Sequence, residues 1–191
     1  LDGQVDDVSL AASLGAIRAR GETTAELLGF RDALMAHADT IELAHDTIVD
    51  TCGTGGDGLG TFNISTAVAV VVAAAGVGVA KHGNRSVSSK SGSSDVLEAA
   101  GIPISSDHEA LRRAFDRTGL AFLFAPFHHP TLARVAHVRK AIGVMTAFNL
   151  LGPMVNPAPL THQYVGVPRP DFQRILGAML AERRLPAYVV H

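Results

Sequence analysis

One cysteine, Cys52, is present in 191 residues, so no internal disulfide can form, and a reducing cytosolic setting fits. An excess of charge of one sign is also missing: 16 Lys and Arg stand against 18 Asp and Glu, a formal net charge of −2. That balance excludes a broad electrostatic footprint for nucleic acid or an anionic membrane, so any bound anion has to be held locally. No apolar run is long enough to cross a bilayer as a helix. The longest, Ala67 to Ala80, "AVAVVVAAAGVGVA", contains two glycines and reads as buried core. No signal-peptide pattern opens the sequence, and it has no internal repeat or low-complexity segment. Cytoplasmic location is the expectation. The sequence begins at Leu1 inside helix-like sequence and stops at "PAYVVH", inside an apolar strand-like run, so it reads as a piece of a longer protein.

What is present is a 47% apolar composition, enough for a sizeable core. Residues 8 to 38 read as helices. Val8, Leu10, Ala11, Leu14 and Ile17 recur at helical spacing, and Thr23-Thr24 with Glu26 suits a cap on a second helix. From about residue 47 the pattern alternates. "TIVDT" reads as a strand, a glycine-rich loop follows, an Ala/Val helix begins near Ser65, and "VGVA" is a strand running into Lys81. Further on, "SSDVLEAAG" and "SSDHEALRRAFDRTG" read as helices, the second with Ser106 and Glu109 at capping-box spacing. "LAFLF", "HQYVGV" and "AYVV" are strands, and "PTLARVAHVRKAIG" and "PDFQRILGAMLAERR" are helices. The expected class is α/β: a small N-terminal helical unit over 1–45, then an α/β unit with a mainly parallel sheet over 46–191.

The glycine-rich stretch "DTCGTGGDGLGTFNIST", Asp50 to Thr66, contains no lysine or arginine. Gly53, Gly55 and Gly58 match the dinucleotide spacing GxGxxG. The context does not, because "GLGTFN" continues as loop and no acid lies about 20 residues on. A Walker A loop is excluded, since no Lys-Ser/Thr pair follows Gly58. A turn made only for packing is the plain alternative. Dense glycine is costly in backbone entropy and points to close approach of a ligand to bare N–H groups. Asn63 to Thr66 then open the next helix, where free N–H groups and the dipole favour an anion. Positive side chains come from the following loop, "KHGNRSVSS", Lys81 to Ser89. In a parallel sheet it leaves from the same edge as the glycine-rich loop; standing alone it would read as a solvated basic turn. Two such loops together suit a phosphorylated ligand, and Asp57 suits hydroxyls or a metal.

The motifs "GTGGDG", "FNIST", "KHGNR", "GSSDVLEAAG", "HHP", "VRKAIG", "FNLLGPM" and "NPA" stand in the same order as in the anthranilate phosphoribosyltransferases of tryptophan biosynthesis, which the chain closely resembles from about residue 8 to its end. The resemblance implies a phosphoribosyltransferase-like fold and Mg²⁺-dependent transfer of phosphoribosyl from phosphoribosyl pyrophosphate to the anthranilate amine. It also implies release of pyrophosphate and a homodimer. By position it implies donor contacts from Gly53, Gly56, Asp57, Thr61, Asn63, Ile64, Ser65 and Thr66. Lys81, His82, Gly83, Asn84, Arg85, Ser86, Val87, Ser88, Ser89 and Ser93 join them. Ser65 would also ligate Mg²⁺. Gly53, His82, Asn84, Arg139 and Pro153 would lie along the anthranilate path. No covalent catalytic residue is expected, because anthranilate brings its own amine nucleophile. The chain departs from the family pattern at Met145, where an arginine is usual. It also lacks the Asp-Glu metal pair that the family carries soon after the strand ending here at His191. The related pyrimidine nucleoside phosphorylases lack "KHGNR". Nucleic-acid-binding relatives should be basic and lack the anthranilate motifs. His128-His129 resembles a metal pair, although adjacent residues rarely face one ion and a loop role is expected. Cys52 is expected to be a buried small residue, not a nucleophile.

Overall fold

A computed structural model describes residues 3–55, 62–85 and 91–191. Two helices open the chain, α1 (Asp7–Arg20) and α2 (Thr24–Met35). The start of α2 is fixed as the sequence suggests. The Thr23 side chain accepts from the Glu26 N–H while Glu26 reaches back to the Thr23 N–H, a reciprocal capping box. On α1 only Leu14 is fully buried, whereas Val8, expected on the apolar stripe, is 79% exposed.

The rest is a five-stranded sheet with flanking helices. In chain order come β1 (Ile48–Gly53), α3 (Ile64–Ala74), β2 (Gly78–Gly83), α4 (Ser93–Ala99), α5 (His108–Thr118) and β3 (Leu120–Phe124). Next are α6 (Ala125–His128), α7 (Thr131–Ile142), α8 (Ala147–Leu151), a 3-10 turn over Gly152–Val155, β4 (His162–Gly166), α9 (Pro170–Glu182) and β5 (Ala187–Val190). Every pairing is parallel and the order across the sheet is β3-β2-β1-β4-β5. The α/β class and parallel sheet read from the sequence are therefore observed. The cap of α5 differs: Asp107, not Ser106, accepts from the Glu109 N–H, because the helix begins one residue later at His108.

The two faces of the sheet are covered unequally. On one face Cys52, Val165 and Val189 pack with Leu14, Leu27, Leu34, Phe148, Leu151, Met154, Leu176 and Met179. The N-terminal helices thus share one continuous core with α8 and α9. The same face carries Ile48, Ala80, Ala121 and Leu123 under Leu111 and Phe115 of α5. The other face is covered by α3, whose Ala69 and Ala73 pack on Val79 of β2. Beyond α3, Tyr164 and Tyr188 of β4 and β5 lie 46% and 75% exposed, their rings 6.5 Å apart. No described helix is long and apolar enough to cross a membrane.

Candidate phosphate cleft and the polar layer beneath it

The strand order reverses at β1. The chain steps from β1 to β2 and β3 on one side, then returns to place β4 on the other. In open parallel sheets such a point leaves a crevice beyond the carboxyl ends of the strands. A cleft of about 500 Å³ lies there, lined by Gly53, Gly55, Asn63, Ile64, Ser65, Ser91, Tyr164, Gly166, Val167 and Pro168 among others. Among the described residues, none that lines it is an acid. Gly53 and Gly166 are paired at the ends of β1 and β4, and a Cβ at Gly53 would come 3.1 Å from the Gly166 carbonyl oxygen. Glycine there keeps the two strand ends close and the cleft floor bare. Gly55 has φ +69°, a conformation that glycine adopts without strain.

Helix α3 points its N-terminus into this cleft. Its N-cap Asn63 makes no side-chain cap; the amide instead donates to the Ser91 carbonyl at 3.3 Å. First-turn N–H groups without a side-chain cap, at the positive end of the dipole, make an anion site.

Beneath the cleft two opposite charges are buried in the sheet, Lys81 on the face toward α3 and Asp50 on the other. On β2, Lys81 is 2% exposed. Its Nζ donates to the Thr51 carbonyl at 2.5 Å and to Ser65 Oγ at 3.1 Å. Thr51 Oγ1 in turn donates to the Ser65 carbonyl at 2.9 Å. Strands β1 and β2 therefore both grip the first turn of α3. Asp50 is fully buried; its carboxylate accepts from the His82 N–H at 3.3 Å and from Gln163 Nε2 at 3.3 Å. Burial pushes the Asp50 carboxyl up and the Lys81 amine down, and the attraction between the two opposes both shifts. Cys52 is buried beside them with its thiol pushed well up by burial, which makes it unreactive.

A second group sits on the face that Asp50 and Cys52 share, opposite Lys81. His82 Nδ1 bonds the Gly152 carbonyl at 3.2 Å, and its ring meets His129 edge-on at 5.3 Å. Burial, then His129, hold His82 down to about 3, so the ring is neutral. Pro153 is buried in the neighbouring 3-10 turn. Arg139, in the last turn of α7, is half-buried with its guanidinium 5.3 Å from the Phe148 ring centroid. Among the described residues no carboxylate pairs with it, and burial lowers its pKa. Met145 packs against the apolar core and brings no charge.

The remaining predicted residues are placed as follows. Thr66 is buried with no partner on its hydroxyl among the described residues. Gly83 has no room for a side chain: a Cβ would strike Ser93 Oγ and the Phe122 ring. Ser93 Oγ bonds both the N–H and the carbonyl of Asn84 at 3.2 Å, fixing that turn. Arg85 is turned onto α4, where it forms a bidentate pair with Glu98 at 2.9 and 2.7 Å and reaches Asp95. Gly56, Asp57, Thr61, Ser86, Val87, Ser88 and Ser89 lie outside the described residues. His128 and His129 do not face one point: His128 Nδ1 bonds the Asp39 carbonyl and His129 Nε2 the Val155 carbonyl, each at 2.7 Å. Sequence reasoning missed Asp50 and Gln163. An acid inside the apolar strand "TIVDT" was the available signal, since a buried carboxylate needs a partner.

The comparisons with known proteins agree with this geometry. The glycosyl transferase family, a/b domain, matches residues 45–191, and the helical bundle domain of the same family matches residues 1–38. The chain belongs to this glycosyl transferase family. It is 49% identical, over all of its length, to an anthranilate phosphoribosyltransferase from Anaeromyxobacter sp. (strain Fw109-5), of which it covers 57%. It is also similar to the crystal structure of the enzyme of that name from Thermus thermophilus, with a TM-score of 0.89 at 41% identity, covering 94% of this chain and 55% of that one. The Saccharomyces cerevisiae structure, in complex with PRPP and Mg, aligns with a TM-score of 0.88 at 26% identity, covering 98% of this chain and 55% of that one. The chain thus spans little more than half the length of the glycosyl transferases it matches.

Proposed function

We propose that the protein carrying this chain is an anthranilate phosphoribosyltransferase of tryptophan biosynthesis. It transfers phosphoribosyl from phosphoribosyl pyrophosphate to the anthranilate amine and releases pyrophosphate. The observation that carries the reading is the cleft: a crevice at the strand reversal with no acid among its described lining residues, closed by a helix N-terminus without a side-chain cap, in a chain aligned over its full length with proteins of that name. A donor bearing a phosphate and a pyrophosphate suits that cleft. Asn63 and Ser65 bring N–H and hydroxyl donors at the helix terminus, Gly53 and Ile64 line the cleft beside them, and Lys81 fixes Ser65 from below.

Ser65 fits a Mg²⁺ ligand in one respect. Ser65 lines the cleft at the helix terminus, its hydroxyl oxygen accepting from Lys81, and phosphate oxygens of the donor can supply further ligands there. When bound, Mg²⁺ neutralises charge that builds on departing pyrophosphate. This chain's own contribution is to hold and orient the partners. Arg139, half-buried and without a carboxylate partner among the described residues, suits the anthranilate carboxylate in a bidentate pair. Neutral His82, held by the Gly152 carbonyl next to buried Pro153, suits the surroundings of the aromatic ring, with Gly53 and Asn84 completing the path. Catalysis is then positioning plus stabilisation of the leaving group.

The same proposal takes residues 1–45 as the helical unit and 46–191 as the α/β unit, places the enzyme in the cytoplasm without nucleic-acid or membrane partners, and has it act as a homodimer. Exposed Val5 and Val8 at the start of α1 suit a contact between copies. The test is calorimetric binding of phosphoribosyl pyrophosphate with and without Mg²⁺. Ser65→Ala should weaken the donor more with Mg²⁺ than without; equal binding by both proteins in both conditions would remove Ser65 from the metal site.

A further inference from the structure

Away from the cleft, three side chains from three segments converge. Asp39 lies between α2 and β1, His108 is the first residue of α5, and His128 is the last residue of α6. One ligand atom from each lies within 4.8 Å of those from the other two. His108 Nε2 is 2.9 Å from Asp39 Oδ2, and the two imidazole rings stack with centroids 5.9 Å apart. The frame under them is well defined. The Asp39 N–H donates to the His128 carbonyl at 2.8 Å, and His128 Nδ1 bonds the Asp39 carbonyl at 2.7 Å.

That last bond fixes the tautomer. A carbonyl oxygen can only accept, so Nδ1 carries the proton and Nε2 keeps its lone pair. His128 is fully buried and its Nε2 has no hydrogen-bond partner among the described residues. A metal-ligating histidine has this arrangement: one ring nitrogen donates to a backbone carbonyl, and the other faces the ion. Burial also favours the neutral ring.

We infer that Asp39, His108 and His128 form a binding site for a zinc-class divalent cation. Two imidazole nitrogens and one carboxylate oxygen suit borderline metals over Mg²⁺, which prefers oxygen ligands. A tetrahedral zinc site has ligand atoms about 3.3 Å apart, from bonds near 2 Å. His108 and Asp39 are already within that spacing of each other. The two edges to His128, each no longer than 4.8 Å, would close by at most about 1.5 Å, a movement available to an exposed carboxylate in an interhelix segment and to the first residue of a helix. The cation would replace the proton shared by His108 and Asp39, and water would fill the fourth position. Its effect would be structural: it would pin the segment leading out of the N-terminal helices to α5 and α6.

The test uses tag-free protein treated with a chelator and then dialysed, without phosphoribosyl pyrophosphate. It is titrated with Zn²⁺ against a chromophoric competitor, and separately with Co²⁺ followed by visible absorption. One tight equivalent per chain is expected, with a tetrahedral Co²⁺ spectrum. His108→Ala and Asp39→Asn should each lose at least tenfold in Zn²⁺ affinity while unfolding cooperatively without metal. His137→Ala, which alters an exposed histidine paired with Asp7, should bind as the parent does. Weak binding with no defined stoichiometry would overturn the inference, as would parent-like affinity in both ligand variants or equal loss in His137→Ala. Those results would leave the cluster as a hydrogen-bonded pair beside a backbone-bonded histidine.

Discussion

Replacing Lys81 by methionine keeps the length of the side chain and removes its charge from a buried position. Two hydrogen bonds go with it, to the Thr51 carbonyl and Ser65 Oγ. Ser65 borders the cleft and can turn to water, but Thr51 is buried and its carbonyl loses a charged donor. The larger consequence falls on Asp50, fully buried, whose nearest opposing charge disappears. Removing the counter-charge of a buried carboxylate costs at most about 3–5 kcal/mol, the value for a pair in contact, against a total stability of about 5–15 kcal/mol.

The pH dependence has a definite sign. Asp50 already has its folded pKa raised by burial, and losing Lys81 raises it further. A raised carboxyl favours the fold while protonated, and that contribution is lost as pH rises through the folded pKa. The deficit of Lys81→Met against the parent should therefore be greatest near pH 8 and shrink in acid, by up to about 1.4 kcal/mol per pH unit while Asp50 titrates. Besides burial, Lys81 also helps to hold His82 down, so its loss eases the acid penalty on that ring and acts in the same direction. Urea unfolding at pH 5, 6.5 and 8 measures this. The double variant Lys81→Met/Asp50→Asn should recover at least half of the deficit at pH 8, because no buried charge is left unpaired. A deficit below about 1 kcal/mol, flat with pH and unrelieved by Asp50→Asn, would refute the energetic coupling of buried Lys81 to Asp50.

Arg139→Ala should raise the KM for anthranilate by about 10- to 100-fold, the value of a charge-assisted pair, and leave that for phosphoribosyl pyrophosphate within about twofold; equal effects on both would exclude the carboxylate role. Gly83→Ala should destabilise the fold by about 1–3 kcal/mol, because its methyl meets Ser93 Oγ and the Phe122 ring; Ser93→Ala should not relieve this, since the aromatic ring remains. His82, with its folded pKa depressed to about 3, contributes stability present above the unfolded value and lost as pH falls from about 6.5 toward 3. His82→Asn should therefore flatten the loss of stability between pH 7 and 4 in denaturation series, and an unchanged slope would contradict a neutral buried ring.

The parts of the fold that were legible in the sequence are those set by local chemistry. Thr23 and Glu26 announce a helix start, Gly119 ends α5 in the left-handed conformation, and strands alternating with helices imply parallel pairing. The parts that were not legible depend on partners distant in sequence. Val8 has the spacing of a core residue, but nothing among the described residues covers it. The short helices α6 and α8 are too brief to show a period and exist through packing against β3 and α2. The motif "KHGNR" reads as one basic loop, yet the structure divides it. Lys81 goes under the cleft to Ser65, His82 to the opposite face beside Gly152, and Arg85 onto Glu98. Alternation along β2 makes that division, and it appears only once the strand is seen to extend to Gly83.

The central claim is tested most directly by Mg²⁺-dependent release of pyrophosphate from phosphoribosyl pyrophosphate, measured with and without anthranilate on this chain and on the longest form its gene encodes. Release that requires both Mg²⁺ and anthranilate, in at least the longer form, is the predicted result. No release from either form, or release indifferent to anthranilate, would contradict the proposed transfer and leave the cleft as a phosphate site serving another acceptor.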